Sequence, residues 1–141
     1  MNIKPDKQKA KALLKMADIT YIRLNESNIL KYPTNTLTDY YDIIHKIFEA
    51  ITLSDGIKFH GEGAHKKLID YICDEYNLGK GTKIFLQNLR DYRNKISYEG
   101  FTVKKEYIER NVERINEIIH KAVNIESIVE FKKMLESIGK L

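Results

Sequence analysis

Residues 86–100 read LQNLRDYRNKISYEG, and the fold follows from how apolar and polar positions alternate there. With Phe85 just upstream, Phe85, Leu89, Tyr92 and Ile96 recur at three- and four-residue steps. At about 100° per residue they fall on one line of a helix. Arg93 sits on one shoulder of that line, with Arg90 and Ser97 beyond it. Asn94 and Tyr98 lie further round, one turn apart, and Gly100 stops the helix. Only five of the 24 basic residues are arginine, so two arginines one turn apart are a distinctive choice. The guanidinium is a permanently charged planar fork suited to bidentate grip on phosphate or carboxylate. Two readings are open: grip on an external anion, or ion pairing with Asp91, Glu99 or an acid of another helix.

The same periodicity continues outward in both directions. A first helix is expected from Asp6 to Ser27, with Ala10, Leu13, Leu14, Ala17, Tyr21 and Leu24 inward. NILKYPTNT reads as a loop, because Pro33 biases Tyr32 away from helical torsions. The second helix should start near Thr36, with Thr36 and Asp39 forming a capping box, and end at Gly56. Its apolar line is Leu37, Tyr40, Tyr41, Ile44, Ile47, Phe48 and Ile51. A third helix spans Ala64–Tyr76, and the fourth starts near Gly81–Thr82 and runs to Tyr98. Thr102 is the expected cap of a fifth helix carrying Ile108, Val112, Ile115 and Ile119. Beyond a break near Asn124, Ile128, Phe131, Leu135 and Ile138 suggest a short last helix, separate from the fifth or continuing it. No stretch alternates with period two, so the expected fold is all-α: one domain over residues 1–141, an antiparallel bundle of four to five main helices plus a short C-terminal one.

Composition narrows the function classes. A hydrophobic fraction of 43% and a charged fraction of 31% suit a globular protein. No apolar run approaches the roughly 20 residues of a membrane helix, and the N-terminus has no signal-peptide core. A cytoplasmic protein without membrane partners is expected, and the single Cys73 fits a reducing compartment. A net charge of +4 is compatible with a polyanionic partner without demanding one.

Other candidate motifs have plainer readings. His60, Glu62 and His65 in HGEGAH have the spacing H-x-E-x-x-H, which does not place two histidines on one helical face as a zinc-binding H-E-x-x-H does. The stretch reads as a loop entering a helix. GKGT at Gly79–Thr82 follows a helix, lacks the Lys-Ser/Thr ending of a phosphate loop, and reads as a turn. Cys73 sits on an apolar helix face as a small hydrophobe.

The helix order together with RNKISY, Arg93 to Tyr98, resembles the HEPN superfamily of small helical bundles. That family carries R-N-x-x-x-H near the end of a late helix. Arg93 and Asn94 match it in place, LRDY and EG also look like that family, and IFEAITLSDGIKF and GAHKKLIDYI are similar to one branch; the resemblance as a whole extends over about Lys7 to Val123. The resemblance implies a homodimer with two motifs facing each other, RNA or nucleotide as ligand, and no metal or cofactor. Active members are metal-independent endoribonucleases, often toxins paired with a small nucleotidyltransferase. By that resemblance Arg93, Asn94 and Tyr98 occupy the catalytic positions. Arg90 and Ser97 stand beside them as substrate-binding residues. Tyr98 departs from the motif histidine, and a phenol of pKa about 10 is a poor base at pH 7. The expectation is therefore RNA or nucleotide binding around Arg93 with cleavage weak or lost. The alternatives are an active ribonuclease of a toxin–antitoxin pair, with Tyr98, His60 or His65 moving the proton, and a structural protein-interaction module.

Overall fold

The computed structural model describes all 141 residues as an all-α bundle. Its helices are α1 (Lys7–Asn25), α2 (Pro33–Asp55), α3 (Ala64–Glu75), α4 (Lys80–Glu99) and α5 (Lys105–Val123), followed by 3₁₀ turns at Val129–Met134 and Ile138–Lys140. None of the helices is long and apolar enough to cross a membrane.

The helices begin and end for local reasons. The Asp6 side chain accepts from the Lys9 amide and caps α1. Helix α2 starts three residues earlier than the capping-box reading of Thr36. Pro33 takes the first turn, where a missing N–H costs nothing. Thr36 is buried inside the helix and donates to the Ile29 and Tyr32 carbonyls, while Asp39 pairs with Arg23. Gly56 closes α2 at φ 76°, and a Cβ there would lie 2.9 Å from the Ile3 carbonyl oxygen. Gly100 closes α4 in the same left-handed conformation. The cap of α5 is Lys104 rather than Thr102.

One core joins all five helices. Leu14, Leu37, Ile47, Phe48, Ile51, Ile72, Leu86, Leu89, Ile108, Ile115 and Ile119 are almost entirely buried. The start of α1 lies against the end of α2, where the Asp6 amide donates to the Leu53 carbonyl, so the two run antiparallel. Contacts of Lys83 with Asp74 and of Gln87 with Asp70 make α3 and α4 antiparallel. Arg114 reaching Gly81 and Tyr107 meeting Tyr92 do the same for α4 and α5. The pair α2–α3 departs from the antiparallel expectation. Tyr41 meets His65 and Asp55 meets Tyr71, so α3 rises in the same sense as α2. The intervening segment 56–63 climbs back along α2 before α3 begins, and its Ile57 bridges to Asn2.

The C-terminal segment neither continues α5 nor forms an α-helix. Asp18, 5% exposed on α1, accepts from the backbone amides of Glu136, Ser137 and Ile138 at 2.8–2.9 Å. A carboxylate holding three successive amides fixes them in a non-helical path.

Candidate functional site

Three helices contribute one polar stripe each to a shared face. On α2, Tyr41, His45 and Glu49 recur every four residues and so stack along one line. On α3 the contribution is His65, in the first turn. On α4 it is Arg90, Arg93 and Ser97. The parallel run of α2 and α3 brings the start of α3 to the middle of α2, and it is this that places His65 beside His45.

The arginines have different partners. Arg90 donates from Nε to the Gln87 side chain at 2.9 Å and lies 3.3 Å from an Asp91 oxygen. Gln87 in turn donates to the Asp70 carboxylate and the Lys66 carbonyl on α3. Arg90 is thus braced against α3. Arg93 has no carboxylate partner; its guanidinium donates to the Ser97 hydroxyl one turn on. Ion pairing therefore accounts for Arg90 in part and for Arg93 not at all.

Both guanidinium groups act on the rings across the face. Burial pushes the Tyr41 hydroxyl up to about 12 against the pull of Arg90 and Arg93, so it is a neutral phenol at any ordinary pH. The His65 imidazole is held below its ordinary 6.5, first by desolvation and then by His45, with Arg93 and Arg90 adding to the effect and Glu49 opposing it. Tyr41 and His65 share a hydrogen bond of 3.3 Å between the hydroxyl and Nδ1. The His45 and His65 rings stack, and His45 Nε2 lies 3.0 Å from a Glu49 carboxylate oxygen. The hydrogen bond to His45 is the main reason the Glu49 carboxyl is held below the usual range. A pocket of about 130 Å³ opens beside the pair, with Lys9 and Lys58 on its walls.

Of the residues singled out from sequence, Arg90, Arg93 and Ser97 share one stripe of α4. Asn94 is half-buried next to it. Tyr98 stands apart: it is 85% exposed, and five residues from Arg93 places it about 140° away around the helix. Within one chain it does not face the Arg93 guanidinium. His65 joins the arginine face, whereas His60 and Glu62 remain in the exposed loop outside the ring cluster. Cys73 is buried, its thiol pushed up to about 11 mainly by desolvation. Gly79 opens α4, as a turn would.

Sequence reasoning missed His45 and Glu49. The signal was present as Y-x-x-x-H-x-x-x-E, but it lies on a helix whose apolar line passes through Tyr41. The stripe reads as the edge of a core face until the third helix is in place. Comparison of the chain with protein-family models, curated proteins and solved structures finds no match.

Proposed function

We propose that the protein is an RNA-binding helical bundle of HEPN type that works as a homodimer, with Arg93 as the group that grips the phosphate. The observation that carries this reading is that Arg93 is a surface guanidinium without a carboxylate, beside a second arginine and two imidazoles. A fork of donors left free in a positive environment suits a phosphodiester oxygen. Ser97 orients the fork, Arg90 adds charge from a braced position, and Asn94 completes the rim. Nucleotides offer the same phosphate chemistry and are the minimal form of the ligand.

Cleavage through Tyr98 is weak or lost in this reading, since its hydroxyl faces solvent away from Arg93. A second reading, a metal-independent endoribonuclease, is favoured by the position of His65 in the field of both arginines. Pairing with a nucleotidyltransferase rests on the family resemblance alone.

The test is binding of a fluorescent single-stranded oligoribonucleotide. Arg93→Ala should weaken binding by about tenfold or more, and Lys133→Ala on the C-terminal segment should have little effect, with affinity falling steeply as salt rises. Equal effects of the two substitutions would mean diffuse charge attraction instead. Sedimentation at micromolar concentration should show a dimer, and a strict monomer would remove the paired site.

A further inference from the structure

The end of α4 and the start of α5 hold a second cavity, to which no residue of the arginine face contributes. Its volume is about 240 Å³. An apolar cavity of about 150 Å³ takes benzene, and drug-sized sites begin near about 300 Å³, so this one suits a single ring or two fused rings. The walls are aromatic. Tyr92 and Phe101 lie nearly parallel, with centroids 5.7 Å apart and 10° between their planes, and Tyr107 meets Tyr92 edge-on at 5.0 Å. Helix closure accounts for part of this. Past Gly100 the Phe101 amide donates to the Lys95 carbonyl, which lays the Phe101 ring on Tyr92. Closure does not account for Phe101 remaining 39% exposed, nor for the polar groups around it. Arg110 lines the cavity without a carboxylate partner; its Nε reaches only the Glu106 carbonyl, at 3.4 Å. Burial, with Tyr92 adding to it, pushes the Tyr107 hydroxyl up to about 12 against the pull of Arg110 and Arg114, and no group of the chain accepts from it. Lys104 and Arg110 against Glu106 leave the rim with positive charge in excess.

We infer that this cavity binds a small aromatic carboxylate, with the ring against Phe101 and Tyr107 and the carboxylate on Arg110. Each part of the ligand is selected by a part of the wall. Aromatic faces and edges attract a flat ring beyond what its buried area contributes. The guanidinium fork matches the two oxygens of a carboxylate. Two cations beside one carboxylate suit a monoanion. A phosphate monoester carries close to two negative charges and would meet the Glu106 carboxylate. The Tyr107 hydroxyl stays protonated at any ordinary pH and supplies a donor to a ligand oxygen. The inference stands apart from the RNA-binding reading, because Arg93 does not line the cavity.

The experiment titrates the ¹⁵N-labelled full chain with indole-3-carboxylate and with 4-hydroxybenzoate and follows the backbone amide resonances. Shifts should concentrate at Tyr92 and over residues 101–110 and fit a Kd of about 1 mM or tighter, as expected for ligands of about ten heavy atoms. Arg110→Gln should raise Kd about tenfold or more, and Phe101→Leu about threefold or more. Lys133→Gln, on the C-terminal segment, should leave Kd unchanged. Neutral indole, which lacks the charge, and cyclohexanecarboxylate, which lacks the flat ring, should each bind at least about tenfold more weakly. Thermal unfolding confirms that Phe101→Leu is folded, and Arg110 is exposed, so its substitution leaves the core in place. Absence of saturable shifts at about 10 mM ligand, shifts scattered over the surface, or a Kd unchanged in Arg110→Gln overturns the inference. Cyclohexanecarboxylate binding as tightly as the aromatic acids also overturns it. So does AMP moving the same amides where the carboxylates do not, which would make the cavity a nucleobase site. None of these outcomes bears on RNA binding at Arg93, whose own test is the Arg93→Ala titration.

Discussion

The imidazole rings of His45 and His65 stack with their centroids 4.1 Å apart, one from the middle of α2 and the other from the first turn of α3. The contact exists because segment 56–63 carries the chain back along α2. It ties the parallel pair α2–α3 to the arginine face of α4. Glu49 completes it from below, so the charge state of the cluster bears on stability as well as on chemistry.

Acid should therefore destabilise the protein in two steps. His65 resists protonation in the folded state, so the unfolded chain binds a proton first as pH falls through 6.5, and stability drops over the window down to the folded value. Glu49 titrates below its ordinary 4.5 when folded, so its contribution is present above 4.5 and is lost as pH falls through the lowered value. Urea unfolding midpoints measured between about pH 8 and about pH 2.5 should show both losses. His65→Asn should abolish the upper one and keep the lower. Midpoints rising as pH falls through the upper window would contradict the assignment.

The C-terminal segment should depend on one carboxylate. Asp18→Ala leaves the amides of Glu136, Ser137 and Ile138 without their shared acceptor. It should cost about 3 kcal/mol in urea denaturation, given the penalty for buried unpaired donors. Hydrogen exchange should speed up over 128–141 before the core is affected. Unchanged protection there would show that the apolar contacts of Ile128, Leu135 and Ile138 suffice.

The central helices were legible in sequence because their apolar lines are regular and their glycines sit at the ends. Gly56 and Gly100 close α2 and α4 as read. What failed depended on contacts that the apolar lines do not encode. Thr36 looked like a cap, but the first turn belonged to Pro33, and the hydroxyl turned to Ile29 and Tyr32. Ile128, Phe131, Leu135 and Ile138 have helical spacing, yet the segment forms two 3₁₀ turns, and Asp18, on α1, holds the amides of residues 136–138 where they join. The site divides the same way. Arg90, Arg93 and Ser97 share one helix, and periodicity finds them. His45 and His65 meet only through the direction of α3, which no local pattern encodes.

Tyr98 offers a sharp contrast with His65. Its ring is 85% exposed and takes no part in the cluster. Tyr98→Phe should leave thermal stability within about 0.5 kcal/mol of the unaltered protein, as for surface substitutions generally, and should leave affinity for an oligoribonucleotide unchanged. A large loss of affinity would place Tyr98 in the site.

The central claim is that Arg93, among five arginines, meets the phosphate. The direct measurement is side-chain ¹⁵N–¹H spectroscopy of the arginine Nε groups during titration with a short single-stranded oligoribonucleotide. The account predicts that the Arg93 resonance shifts most and becomes protected from solvent exchange, that Arg90 shifts less, and that Arg23, Arg110 and Arg114 stay in place. An Arg93 resonance unmoved at saturation, with Arg110 or Arg114 shifting instead, would contradict it.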